Sequence, residues 1–386
     1  MLAQRVQFFG ESVIREMTRL ANRYGAVNLG QGMPDFETPQ SIKDAACKAI
    51  QDGFNQYAIT WGAPLLRQAI AHKAKQFNGI DSDPDKNITV CCGATECMMA
   101  TMLACINPGD EVIVFQPFYE NYGPDGLISG AKPVCIHLRE PDWALDKQEL
   151  ADAFSERTRA IIINTPNNPT GKVFTRDELQ FIADLCIKHD VLAITDEIYE
   201  HIIYDGLPHI SLATLPGMAE RTVTISGLSK TFSVTGWRLG YCIAPEAITT
   251  GIRKVHDFLT VGAPHPLQMA GAAALVLPEA YYAKLTTDYT RRRSILLKYL
   301  RDAGFLFTEP RGAYYVMTDV TPFGASDDVE FVRRLVTEFG VAGVPGSSFY
   351  SPKSLGNTKV RFMWAKKDET LHAAGERLMK LRSLLK

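Results

Sequence analysis

Between Thr158 and Ile225 apolar runs and helical spacing alternate in a way that leaves few folds open. Ala160 to Ile163 and Val191 to Thr195 are short, mostly β-branched runs, Asp177 to His189 carries a helical pattern between them, and Val223 to Ile225 repeats the strand signal. Strand, helix, strand at this spacing is a βαβ unit, whose crossover is right-handed and whose strands pair in parallel. A mainly parallel sheet flanked by helices follows, an α/β fold. In such sheets ligands bind beyond the carboxyl ends of the strands. The residues that matter are therefore those that follow the runs.

Two of those strand ends carry chemistry. The run Val191 to Ile194 leads into Asp196, with Tyr199 three residues later. The run Thr222 to Ile225 breaks at Ser226-Gly227 into a loop of small residues around Lys230, and Arg238 follows eight residues on, in Gly236-Trp237-Arg238. A loop lysine alone is usually just solvated. A carboxylate ending a buried strand, however, costs free energy unless a cation or strong donors meet it. Lysine, aspartate, tyrosine and arginine together are what pyridoxal 5'-phosphate needs: an amine for a Schiff base, a carboxylate to keep the pyridine nitrogen protonated, and a cation for the phosphate.

Further motifs agree: Asn28-Leu29-Gly30-Gln31-Gly32-Met33-Pro34-Asp35, Gly93-Ala94-Thr95-Glu96, Asn164-Thr165-Pro166-Asn167-Asn168-Pro169-Thr170-Gly171, Thr195-Asp196-Glu197-Ile198-Tyr199, Ser229-Lys230-Thr231 and Val360-Arg361-Phe362. In this order, over nearly the whole chain, they resemble the fold type I pyridoxal-phosphate aminotransferases of class I/II. The resemblance implies a sheet of the seven-stranded type in a large cofactor-binding domain, residues 40–283, and a smaller α+β domain from 1–39 and 284–386. It implies transfer of an α-amino group from an L-amino acid to a 2-oxo acid in a ping-pong cycle. A C–S β-lyase, or other chemistry of the same cofactor, remains the alternative.

By the same resemblance Lys230 is the Schiff-base lysine and proton shuttle, Asp196 meets the ring nitrogen, and Asn168 and Tyr199 donate to the phenolic oxygen. Ala94, Thr95, Ser229 and Arg238 join the cofactor site, the phosphate lying at a helix N-terminus. Tyr119 lies against the ring. Gly32, Asn168 and Arg361 bind substrate, Arg361 through its α-carboxylate. Tyr57, in the loop Asn55 to Gly62, reaches the phosphate of a partner subunit, which makes the enzyme a homodimer with shared sites. The segments Asn28 to Phe36 and Asn55 to Gly62 look most like enzymes acting on kynurenine, glutamine, methionine and aromatic amino acids. Some of those carry an aromatic where Ile14 stands here, and the neighbouring Arg15 could favour an acidic or polar side chain instead.

Composition excludes other classes. With 386 residues, the chain exceeds the roughly 250 to 300 at which single cores stop growing. A hydrophobic content of 46%, charged content of 22% and net charge of -2 suit a soluble globular protein and give no reason to expect nucleic acid or membrane as partner. Eight scattered cysteines without paired CxxC or His/Cys spacing argue for a reducing compartment and no metal, and the absence of an apolar leader or span of ~18 residues predicts a cytoplasmic protein. The strand ending in Asp196-Glu197 also suits an ATPase, but no GxxxxGK[ST] loop accompanies it. A pyridoxal-binding regulator would carry an additional DNA-binding module.

Elsewhere the pattern predicts helices from Phe8 to Tyr24, Ser41 to Gln51, Ala63 to Phe77, Glu96 to Ile106 with Thr95 near the cap, Ala247 to Leu259, Pro278 to Ala303, Asp328 to Phe339 and Asp368 to Leu385. Strands are expected at Asn87 to Cys91, Glu111 to Phe115, Ala313 to Met317, Val341 to Val344 and Lys359 to Phe362, and a Pro-rich loop at Val261 to Pro266.

Overall fold

In the computed structural model, which describes residues 3, 7 and 10–385, the chain opens with α1 (Val13–Tyr24). Ser12 caps its first turn, and Gly25, at φ 59°, ends it in the left-handed region that glycine enters freely. Phe8, the expected start, lies outside the described residues. Then come β1 (Val27–Asn28), α2 (Gln40–Gln51) and α3 (Pro64–Lys73), which continues as a π-helical turn to Asn78.

The main sheet has seven strands: β2 (Ile88–Cys91), β3 (Glu111–Gln116), β4 (Lys132–His137), β5 (Thr158–Asn164), β6 (Leu192–Asp196), β7 (Thr222–Gly227) and β8 (Gly240–Ile243). Their order is β2-β8-β7-β6-β5-β3-β4, and only β8 runs against its neighbours. Between the strands run α4 (Ala94–Cys105), α5 (Tyr122–Ser129), α6 (Lys147–Asp152) and α7 (Arg176–His189), the last held by a capping box between Thr175 and Glu178. Both faces of the sheet are covered, so successive residues of one strand enter different cores. Ile161 and Ile163 of β5 pack with Leu179 and Ile182 of α7, whereas Ile162 packs with Met98 and Met102 of α4. This is why the strands read as continuous apolar runs rather than as alternation.

After β8 come α8 (Glu246–Thr260), α9 (His265–Leu275) and the long α10 (Glu279–Ala303). The rest of the chain builds a second, antiparallel sheet, β12-β13-β10-β9, from β9 (Leu306–Phe307), β10 (Tyr315–Asp319), β12 (Val344–Pro345) and β13 (Lys359–Met363); α11 (Asp328–Phe339), β11 (Val341–Ala342) and α12 (Asp368–Leu378) complete it. The N-terminal segment belongs with this part: β1 pairs with β11, and Met17 and Leu29 share a core with Leu296, Leu300, Val332 and Leu371.

Four expectations change. α4 starts at Ala94 because Gly93, at φ 88°, is its N-cap, so Thr95 lies inside the first turn. Val341 to Val344 is two strands in two sheets, parted at Gly343, where a Cβ would lie 2.6 Å from Val360. The last helix stops at Leu378 and tightens to 3-10 geometry through Leu384. α9 has no counterpart in the expected elements, because its composition, HPLQMAGAAAL, is apolar all round and shows no amphipathic stripe. Among the described residues no helix is long and apolar enough to cross a membrane.

Candidate active site

The carboxyl ends of β5, β6 and β7 open into a cavity of about 490 Å³, closed on the far side by α1, the loop after β1, and strands β10 and β13. It is lined by Gly32, Ala94, Thr95, Tyr119, Asn168, Asp196, Tyr199, Ser229, Lys230, Arg238 and Arg361, so eleven of the expected site residues converge. Tyr57 does not join them; it stands 84% exposed.

One wall is a cradle for an anion. The first N–H groups of α4, those of Ala94 and Thr95, have no partner within the helix and lie at its positive end. Arg238 faces them, and it can do so because residue 93 is glycine: a Cβ there would lie 2.4 Å from the Arg238 guanidinium. Gly240 does the same from below, where a Cβ would meet the Ala94 nitrogen at 2.3 Å. Glu96, which would oppose an anion, is turned away and accepts from the Cys92 N–H (2.5 Å) and bonds His256 (2.7 Å).

Asp196 lies at the floor. Its Oδ2 accepts from the Tyr122 hydroxyl at 2.7 Å and its Oδ1 from the Ile198 N–H at 3.3 Å. Burial pushes its pKa up, and these donors and Lys230 pull it back. A buried carboxylate with two donors still has lone pairs to spare, so a further N–H or cation aimed at it would stabilise the charge.

Lys230 sits above, its Nζ 3.3 Å from the Gly32 carbonyl and 5.8 Å from the ring centres of both Tyr199 and Tyr314. Burial lowers its pKa; Tyr315 and Asp196 oppose that, and Arg238 and Arg361 reinforce it. The amine is thereby moved toward the neutral, nucleophilic form.

The opposite wall holds Arg361, fully buried. Its guanidinium donates to Asn168 Oδ1 (2.7 Å) and to the Gly30 carbonyl (2.6 Å), and lies between the rings of Tyr315 and Phe349, at 4.3 and 4.8 Å. Neither acceptor is charged, and Nε has no partner among the described residues. A buried cation without a counter-ion is costly, which fits a position meant for an anionic ligand. Because Asn168 accepts through its oxygen, its amide N–H groups remain free to donate.

Sequence reasoning missed Tyr122 and Tyr315. Tyr122 lies three residues after Tyr119, so its turn of helix was visible but not its bond to Asp196. Tyr315 hydrogen-bonds Tyr199 through their hydroxyls at 3.1 Å, and its Oη would lie 1.9 Å from a Cβ on Gly32. The glycine expected to admit substrate is thus needed for Tyr315.

Comparison with known proteins agrees with this geometry. The profile of the family described as aminotransferase class I and II matches residues 24–378. A probable N-succinyldiaminopimelate aminotransferase of Mycobacterium tuberculosis is 39% identical over 98% of both chains, and the methionine aminotransferase of Escherichia coli is 38% identical over 96% of both. A solved structure of the N-succinyldiaminopimelate aminotransferase from Mycobacterium tuberculosis superposes with a TM-score of 0.96 at 39% identity, covering 99% of this chain and 100% of the other.

Proposed function

Because the chain belongs to the class I and II aminotransferase family and so transfers amino groups, we propose that it does so with pyridoxal 5'-phosphate held in this cavity, moving the α-amino group of an L-amino acid to a 2-oxo acid. The observation that carries this reading is the convergence of Lys230, Asp196, the Arg238–α4 cradle and the uncompensated Arg361 in one cavity. The residues fit the group. Arg238, the N–H groups of Ala94 and Thr95, and Ser229 would hold the phosphate; Asp196, oriented by Tyr122, would meet the ring nitrogen; Tyr199 and Asn168 would donate to the phenolic oxygen; Tyr119 would cover the ring. When bound, the cofactor supplies an aldehyde and an electron-withdrawing ring.

The chain's own part is positioning and proton transfer. Arg361 grips the substrate α-carboxylate through parallel charge-assisted hydrogen bonds, and its two rings and Asn168 fix the plane in which it does so. Lys230 would hold the cofactor and would take the proton from the substrate α-carbon, as a base whose pKa burial has lowered. In this reading residues 40–283 form the cofactor-holding unit, and 1–39 with 284–386 the smaller unit that brings Arg361.

The enzyme is further proposed to work as a two-fold dimer. Tyr57 is 84% and Phe258 92% exposed, and the loop carrying Tyr57 rests on the end of α8 through the bond of the Thr60 carbonyl to His256. Apolar side chains so exposed suit an isologous interface, and Tyr57 would reach the partner's phosphate cradle.

The test is amino transfer itself. A purified enzyme given an amino acid and a 2-oxo acid should form the matching new pair in equal amounts, and Lys230→Ala should abolish it. Ammonia and pyruvate released from one substrate alone would instead support lyase chemistry. Shared sites predict that Lys230→Ala subunits refolded with Tyr57→Ala subunits regain activity above the weighted sum of the parents, since one site of each mixed dimer is intact.

A further inference from the structure

One charged donor in the cavity is left without work. Arg15, exposed on the first turn of α1, lines the same cavity as Lys230 and Arg361. Its backbone N–H bonds Ser12, but its guanidinium has no hydrogen-bond or ion-pair partner among the described residues. The acids around it make their hydrogen bonds and ion pairs elsewhere, Arg15 adding only a distant attraction to the Arg19 bond that holds the Glu11 carboxyl below its usual range. Glu11 pairs with Arg19, and Glu16 faces Arg333 at 3.6 Å. Glu120, in the same lining, accepts from Ser12 Oγ at the positive N-terminus of α1.

The position of this cation follows by elimination. If the cradle takes phosphate and Arg361 the α-carboxylate, the lining that remains for the substrate side chain is Ser12, Ile14, Arg15, Gln31, Met33, Glu120 and Asn121, in which Arg15 is the cation. Gln31 is steadied there by Thr18, whose hydroxyl lies 3.0 Å from its Oε1. An apolar side chain on this wall would cover the guanidinium and give it nothing in return. A carboxylate would give it charge-assisted hydrogen bonds.

We propose that Arg15 sets the substrate class, binding the side-chain carboxylate of a 2-amino dicarboxylic acid and of the matching 2-oxo acid. The inference rests on the reading that Arg361 holds the α-carboxylate. Because Arg15 is exposed, the contact is salt-sensitive.

The experiment compares kcat/KM of the holoenzyme for glutamate, 2-aminoadipate, glutamine, methionine and phenylalanine, with pyruvate as the fixed acceptor. The expected wild-type preference for glutamate over glutamine is about 10-fold or more. Arg15→Gln should collapse that ratio toward one, Arg15→Lys should restore part of it, and raising the salt concentration should narrow it in the wild type. A wild type that treats acid and amide alike, or an Arg15→Gln loss equal for all five donors, overturns the role of Arg15 while leaving amino transfer standing. Absence of transfer from every donor overturns the reading of the whole site.

Discussion

Lys73 of α3 and Glu200, one residue after Tyr199, form an ion pair at 2.5 Å with side chains 6% and 3% exposed. Glu200 also accepts from Asn78 at 2.8 Å and from Ser226 at 2.6 Å, and Ser226 belongs to β7, the strand that delivers Lys230. The pair thus anchors the reactive loop from behind. Burial would raise the pKa of Glu200, but Lys73, His201, His209 and Asn78 outweigh it and hold the carboxyl at about 2 against an ordinary 4.5. With the folded pKa below the unfolded one, the stabilisation is fully present above about pH 4.5 and is lost as pH falls toward 2. The interval from 4.5 to about 2, at about 1.4 kcal/mol per pH unit, amounts to roughly 3 kcal/mol at pH 7, and to about 2 kcal/mol at pH 3.5. Lys73→Met keeps the chain's bulk and removes the charge, leaving a buried carboxylate alone. Urea unfolding of the holoenzyme, followed by far-ultraviolet circular dichroism, should show a loss of about 3 to 5 kcal/mol at pH 7 that shrinks at pH 3.5. Adding Glu200→Gln to Lys73→Met should recover part of the loss, since the uncompensated charge is gone. A loss below about 1 kcal/mol, or a gap independent of pH, would refute the argument.

Three further outcomes test the site. Asp196→Asn removes the charge that would meet the ring nitrogen at nearly constant size; turnover should fall by several powers of ten with cofactor still partly bound, and a near-neutral effect would make the carboxylate structural. Gly32→Ala places a methyl 1.9 Å from Tyr315 Oη and 3.0 Å from its Cζ. The ring must shift, the hydroxyl bond to Tyr199 breaks, and kcat should drop about tenfold alongside a stability loss of about 1 to 3 kcal/mol from overpacking; full activity would show that Tyr315 is dispensable. Arg361→Lys, which loses the planar fork, should raise KM for every amino acid by roughly tenfold or more, and an effect confined to one substrate would place Arg361 at the side chain.

The candidate residues of this cavity were legible where their surroundings are written locally. Asp196 ends an apolar run, Lys230 follows another in a loop of small residues, and Asn168 lies in a segment too rich in proline and asparagine to be helix or strand. Such features depend on a few neighbouring residues and on the period of the backbone, so the amino-acid order alone settles them. The parallel sheet is of the same kind, since continuous apolar runs separated by helices have few other ways to bury both faces.

What remained hidden joins residues far apart. Tyr122 bonds Asp196 across 74 positions, Tyr199 meets Tyr315 across 116, and Arg361 donates to the Gly30 carbonyl across 331. No period marks these pairs, because each is made by the packing of separate elements. Glycines show the same division. The freedom of Gly25 to end a helix is visible in its neighbours, whereas the need for Gly93 and Gly32 exists only because Arg238 and Tyr315 occupy the space a Cβ would fill. Arg15 was visible as a charge beside Ile14, but that its guanidinium lines the cavity without a hydrogen-bond or ion-pair partner among the described residues is decided by the tertiary structure, through the placement of α1 against the sheet ends and the pairing of Glu11, Glu16 and Glu120 with other side chains.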